Sequence, residues 1–188
     1  MTTQGMARNI DHKGYRVGKD TIEWVQAVLV ALALGFLVKT FLFTLVKVEG
    51  PSMNPTLQNG DRLFVNRLAY KPQQGDVIVF KPAYDKAVPY IKRVIAVEGQ
   101  VVDIDFEKGE VYIDGVLLEE PYLLEPIFNP GDVTFPATVP KGHVFVMGDN
   151  RNNSEDSRRS RVGMVNNKVI MGGAIYRWWP FNKMGAVK

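Results

Sequence analysis

Residues 50 to 57 read Gly50-Pro51-Ser52-Met53-Asn54-Pro55-Thr56-Leu57, a short turn-rich stretch that begins just after a long apolar run. That run is Trp24 to Val46, WVQAVLVALALGFLVKTFLFTLV. Up to Val46 the chain reads as one apolar helix. Beyond Leu57 the helical period disappears, and short runs of β-branched and aromatic residues alternate with turn residues. The turn at 50–57 therefore divides the chain. It also presents a serine, Ser52, as a candidate nucleophile held beside the apolar segment. The plainer reading of Ser52 is a hydroxyl that caps its own turn, as serines in Pro-Ser-x-x-Pro stretches often do.

Working back from the turn, Trp24 to Val46 is 23 residues, or roughly 35 Å as a helix. A hydrocarbon core is about 30 Å thick, so the expectation is a transmembrane helix over 24–46. Gln26 falls near one end, and the Lys39 stem is long enough to reach toward an interface. A buried core helix is the alternative. Arg8, Lys13, Arg16 and Lys19 precede the run, whereas 47–66 carry only Lys47 and Arg62. Cations accumulate on the cytoplasmic side of a span. The tail 1–23 is therefore expected inside, and 47–188 outside as a single β-rich domain at the cell membrane.

Working forward, candidate strands are 61–66, 76–81, 90–98, 101–105, 110–113, 116–118, 143–148 and 169–178. Asp114-Gly115 lies between Val111-Tyr112-Ile113 and Val116-Leu117-Leu118, a strong hairpin signal because both turn residues tolerate positive φ. The region 99–140 reads as an inserted hairpin with long loops. Trp178-Trp179-Pro180-Phe181 reads either as packing of a last strand or as an aromatic patch at a membrane interface.

Composition removes several chemistries. The 188 residues carry a net charge of +3 and no cysteine. The charge is too small and dispersed for nucleic acid, and thiolate nucleophiles, disulfides and cysteine metal sites are excluded. The histidines are His12, before the apolar run, and His143. A serine triad would rest on His143 alone, in a turn that runs into a strand.

Without histidine, the base for a serine is a lysine, which acts only when neutral. Lys92 lies in Tyr90-Ile91-Lys92-Arg93-Val94, where both strand faces are largely apolar. Burial there penalises the ammonium and lowers its pKa. Periodicity does not choose between Lys92 and Arg93, but arginine stays protonated in proteins, so Lys92 is the candidate base. A surface lysine beside an ion-paired arginine is the alternative. A third motif, Met147-Gly148-Asp149-Asn150-Arg151-Asn152-Asn153-Ser154-Glu155-Asp156-Ser157-Arg158, follows the strand ending at Met147. It suits a polar surface loop or a carboxylate metal site, but its alternating charges favour internal pairing, with Arg93 and Asp149 as one ion pair.

Taken in this order, the three motifs resemble the type I signal peptidases, membrane-bound serine proteases that remove signal peptides. The resemblance runs from the apolar segment nearly to Phe181. It implies a mainly β fold, a coiled antiparallel sheet similar to that of self-cleaving repressor proteases, carried on one N-terminal transmembrane helix. It implies Ser52 as nucleophile and Lys92 as general base, with Ser154 hydrogen-bonding the lysine, Asp156 supporting that network, and Asp149 and Arg158 securing the site. Met53 and Pro55 would wall the substrate pocket. Some members place a serine where this chain has Gly50, so the oxyanion would rely on backbone N–H groups, including that of Ser52, or a water. An aromatic-glycine pair common after the third motif is replaced by Arg159-Ser160-Arg161-Val162-Gly163. The implied substrates are preproteins cut after small residues in Ala-x-Ala fashion, with the bilayer and an export translocase as partners and no metal or cofactor. A non-catalytic, anchored peptide-binding module is the reading from another class; it requires Ser52 and Lys92 to be exposed and independent.

Overall fold

A computed structural model of the chain describes residues 18–85 and 87–187. Most of the basic tail, with Arg8, His12, Lys13 and Arg16, lies outside the described residues. The chain divides into two compact units, 1–38 and 39–188.

The first unit holds most of the helix α1, Lys19–Phe41. Residues 21–37 are exposed throughout, although Trp24, Leu32 and Phe36 are among them. No helix among the described residues is long and apolar enough to cross a membrane. The expected helix over 24–46 is also corrected at both ends. It starts earlier, at Lys19, and stops at Phe41, and Phe43–Lys47 forms strand β1 instead. Phe43, Thr44, Leu45 and Val46 are aromatic, β-branched or apolar residues that suit a pleated surface. Strand β2, Arg62–Asn66, supplies their hydrogen-bonding partner in antiparallel register, Phe43 opposite Asn66 and Lys47 opposite Arg62.

The second unit is built on β1, β2, β3 (Val77–Phe80), β4 (Tyr90–Val97), β5 (Val101–Asp105), β6 (Glu110–Ile113) and β7 (Val116–Leu117). It continues with β8 (Ala137–Thr138), β9 (His143–Met147), β10 (Val165–Asn166), β11 (Ile170–Trp179) and β12 (Gly185–Ala186). The main sheet has the order β1-β2-β11-β3-β4-β9-β10, with β12 on β11, and every pairing is antiparallel. Register shifts in β11 and β4 mark bulges that bend the sheet.

Strands buried on both faces divide their side chains between cores. In β3, Val77 and Val79 join a cluster with Met53, Leu57, Leu63, Val65 and Ile91, while Ile78 and Phe80 point to another with Val94, Val144 and Val146. The first cluster lies directly beneath the 50–57 turn. Met53 and Leu57, each 1% exposed, root the turn in it.

Residues 101–138 form a separate sheet of order β7-β6-β5-β8. Its hairpin turns at Asp114 (φ 52°) and Gly115 (φ 80°), with Ile113 opposite Val116. Val102, Ile104, Val111 and Ile113 share one core with Ile95, Ala96, Phe145 and Met147 of β4 and β9. The insertion is thus welded to the main sheet. At the far end of the chain, Trp178 packs on Phe64 with ring centroids 6.2 Å apart, whereas Trp179 and Phe181 are exposed.

Candidate active site

Ser52 and Lys92, forty residues apart in sequence, meet. Lys92 Nζ lies 2.7 Å from Ser52 Oγ and donates to it, and it also donates to the Ile91 carbonyl at 3.0 Å. The turn is pinned from outside as well as from its core. Asn150 donates its backbone N–H to the Ser52 carbonyl (3.0 Å) and its side chain to the Pro51 carbonyl (3.2 Å). Arg177 holds the other end by donating to the Thr56 carbonyl at 2.9 Å and to Asp61 at 3.0 Å.

Lys92 is 3% exposed. Ile78 stands opposite it on β3, and the Tyr90 ring centroid lies 5.2 Å from Nζ. Burial in these surroundings pushes the ammonium from 10.5 down to about 8, against the pull of Asp156, Asp149 and Glu155. A neutral amine is thus accessible near physiological pH. In that form Ser52 Oγ–H can donate to Nζ along the same line, the geometry a general base requires.

The motif after β9 is a pairing device. Arg93 grips Asp149 with two parallel bonds, Nε to Oδ1 at 2.8 Å and Nη2 to Oδ2 at 2.7 Å, both residues 2% exposed. Arg158 grips Asp156 the same way, at 2.8 Å for both bonds. Burial tends to raise the Asp156 pKa, but the Arg158 guanidinium and the Gly148 N–H at 3.0 Å hold it below the usual carboxylate range. Both carboxylates are therefore consumed by arginines. Among the described residues no group of histidine or carboxylate side chains is placed to hold a metal ion.

Further contacts involve residues the sequence had singled out. The Ser154 hydroxyl is enclosed and has no hydrogen-bond partner of good geometry; it does not bond Lys92, contrary to the resemblance. It lies against Gly148 and close enough to Asp156 to favour that carboxylate's charge. Gly50 (φ +85°) donates its N–H to Asn59 Oδ1 at 3.1 Å, whereas the Ser52 N–H has no partner among the described residues. Met53 lines the cleft at Ser52, and Pro55 does not. His143 contacts the Lys141 carbonyl and Asn166, not Ser52.

Sequence reasoning missed a third enclosed pair. Arg151 pairs with Glu120, with Nη1 to Oε2 at 2.8 Å, and Tyr122 donates to Glu120 Oε1 at 2.8 Å. Tyr122 also lies beneath Arg93, ring centroid to Cζ 3.9 Å. Arg151 stood in the quoted motif, but Glu120 and Tyr122 lie in the insertion with no local pattern to mark them.

The cleft has a volume of about 650 Å³ and runs between Leu45–Ser52 on one side and Val88–Lys92 on the other. It therefore offers a hydroxyl, a buried amine and an elongated trough beside the end strand of a sheet, the equipment of a hydrolase that handles extended chains.

Comparison with known proteins gives the family. Residues 21–179 match the family described as "Signal peptidase, peptidase S26". The chain is 42% identical over 174 residues to the "Probable signal peptidase I-1" of Synechocystis, covering 87% of this chain and 85% of that protein. It is 38% identical to the signal peptidase I of Bacillus licheniformis, covering 86% and 90%, and 34% identical to signal peptidase IB of Staphylococcus aureus, covering 88% and 93%. The chain belongs to the signal peptidase family, and is a serine endopeptidase of that family with signal peptidase I activity.

Proposed function

We propose that Ser52 and Lys92 are the catalytic dyad by which this peptidase removes signal peptides after small residues, Ala-x-Ala style. The observation that carries the reading is the 2.7 Å contact between Ser52 Oγ and Lys92 Nζ with the amine buried. The non-catalytic module requires the two side chains to be exposed and independent, and this contact speaks against it.

In the proposed mechanism neutral Lys92 takes the Ser52 proton as Oγ attacks the scissile carbonyl. The Ser52 N–H faces the developing oxyanion; the Gly50 N–H, already given to Asn59, is not the second donor. Lys92 then protonates the leaving amine, and a water deprotonated by Lys92 hydrolyses the acyl-enzyme. The cleavage segment lies extended along the trough, adding a strand beside β1. Its small side chains meet the apolar wall formed by Val48, Met53 and Ile91. Arg93, Asp149, Asp156 and Arg158 fix the segment that backs the dyad.

The reading includes membrane attachment. Helix α1 is apolar and exposed over residues 21–37, and lipid is the solvent in which such a surface is stable. The excess of cations before the apolar run supports an orientation with the N-terminal side in the cytoplasm and the β domain outside. The exposed Trp179 and Phe181 suit an interface. The substrates are exported preproteins, delivered at the membrane by the export translocase.

The test is cleavage of a preprotein with an Ala-x-Ala junction, in detergent or vesicles, by wild type, Ser52→Ala and Lys92→Ala. Cleavage at the junction by wild type alone is expected. Activity surviving Ser52→Ala rules out the nucleophile, and near-normal turnover in Lys92→Ala rules out the base.

A further inference from the structure

The wall of the cleft opposite the Ser52 turn is not part of a regular strand along its full length. Between β3 and β4 the chain loops through 81–89, and Val88 and Pro89 of this loop line the trough immediately before Tyr90 and Lys92. A loop forming one wall of a peptide trough needs a tether, or ordering it is charged against binding.

The tether is visible. Tyr84, within the loop, donates its hydroxyl to the Tyr90 hydroxyl at 2.7 Å, with the rings edge to face at 6.2 Å. Arg161 lies over the Tyr84 ring, Cζ 4.6 Å from its centroid, and Nη2 donates to the Tyr84 hydroxyl at 3.4 Å. The other side of the Arg161 guanidinium pairs with Glu155, Nε to Oε1 at 2.8 Å. Glu155 itself lines the trough. Arg161 thus joins two walls of one cleft, the 81–89 loop and the segment 149–158. It stands in the stretch where the sequence departs from the aromatic-glycine pattern common in the family.

We propose that Arg161 is a positioning residue that clasps the 81–89 loop to Glu155, holding the substrate trough in shape and shielding Lys92 from the Glu155 charge. This rests on the dyad reading above. The charged groups acting most strongly on Lys92 come from 149–158: Asp156, Asp149 and Glu155, which favour the ammonium, and Arg158, which opposes it. The uncharged neighbours are Ser52 and the Tyr90 ring. Asp149 and Asp156 are each locked to a buried arginine, while Glu155 depends on the exposed Arg161. Removing Arg161 frees both the loop and the Glu155 charge. The loop is read out in KM, and the charge in the pH at which Lys92 loses its proton.

The experiment compares wild type with Arg161→Ala, Arg161→Lys and Arg161→Ala/Glu155→Gln, as full chains in detergent. Steady-state cleavage of a preprotein is measured across pH, and Lys92 is titrated by NMR with labelled lysine, assigned with Lys92→Met. For Arg161→Ala the expected result is a KM raised about threefold or more, with kcat at high pH nearly unchanged. The midpoints of kcat/KM and of the Lys92 titration should both rise by about half a pH unit. The double variant should return the midpoint to wild type or below while KM stays high, and Arg161→Lys should keep the midpoint but raise KM. Unchanged KM and midpoint in Arg161→Ala, or a midpoint that Glu155→Gln does not bring back, overturns the proposal. If wild type cleaves no preprotein, the functional reading fails instead, and the Lys92 titration alone still decides whether Arg161 shields the amine.

Discussion

Arg93 and Asp149 form a two-bond ion pair almost sealed from solvent, one position along β4 from the amine that meets Ser52. Cross-strand pairing sets Arg93 opposite Met147, two residues before Asp149, so the pair ties β4 to the segment after β9. Gly75 accepts from Arg93 Nη1 at 2.8 Å, and Tyr122 stacks on the guanidinium. Removing one charge of such a pair leaves the other buried and uncompensated, which costs about 3–5 kcal/mol. Asp149→Ala should therefore be destabilised by that order in urea unfolding followed by tryptophan fluorescence. The double variant Arg93→Met/Asp149→Leu should recover most of the loss, because apolar replacement of both partners avoids the desolvation cost. A loss below about 1 kcal/mol in Asp149→Ala would show that the pair does not hold the segment in place.

Gly148 is where three segments touch. A Cβ built there would overlap the Ser154 side chain and the Ser52 carbonyl oxygen. Both neighbours are constrained: the Ser52 carbonyl accepts from Asn150, and Ser154 is enclosed. Relief would come from moving the Ser52 turn away from Lys92. A misplacement of about 1 Å at reacting groups can cost about a hundredfold in rate. Gly148→Ala should thus lose at least about tenfold in kcat, with a smaller change in KM, while the fold persists by circular dichroism. Wild-type kcat in this variant would mean that the turn has slack to yield without disturbing the dyad.

How far the sequence carried this picture depends on how local each signal was. Strands β2 to β6, β9 and β11 were legible because four or more residues alternate or run apolar between turn residues, and the 114–115 turn carries its own chemistry. Strand β1 was hidden because Phe43–Val46 continues the apolar run of the helix without a break; only its pairing with β2 sets it apart. Strands β8, β10 and β12 have two residues each, too few to show a period. At the site, Ser52 and Lys92 were legible from what serine chemistry demands once histidine was gone, and Arg93–Asp149 from charge complementarity. Glu120, Tyr122 and Tyr84 were not, because each meets its arginine across a long loop and carries no pattern of its own. Ser154 was expected by resemblance to bond Lys92; its hydroxyl makes no such bond and lies against Gly148 and near Asp156.

On the proposed dyad, the proton on Lys92 sets a pH dependence whose sign is fixed. A base must be neutral, and burial lowers the Lys92 pKa to about 8. Below that value the active fraction falls about tenfold per pH unit. Thus kcat/KM should rise with unit slope from about pH 6 and level off above about pH 8. Asp156, held low by Arg158, stays charged across this range and adds no second step. A profile flat from about pH 6 to about pH 9 would mean that Lys92 is not the group whose proton limits the reaction.

The same shift makes the buried Lys92 a stability cost. Its folded pKa is about 8 and its ordinary value is 10.5, so between these the unfolded chain binds a proton that the folded chain does not. Stability then rises with pH through that window. Below about 8 the folded state carries a buried ammonium, a penalty of roughly 3 kcal/mol from the size of the shift. Methionine matches the length of the stem without the charge. Lys92→Met should therefore be inactive yet more stable than wild type at neutral pH, by about 1–3 kcal/mol once the lost bonds to Ser52 and Ile91 are set against the relief. The gain should shrink as pH rises through about 10 and reach zero above 10.5, where wild type loses the charge in both states. Urea unfolding of both proteins at neutral pH and near pH 10 measures the difference. A variant less stable than wild type at neutral pH would mean that the ammonium is well solvated in its cleft, and that desolvation is not what readies Lys92 to accept the serine proton.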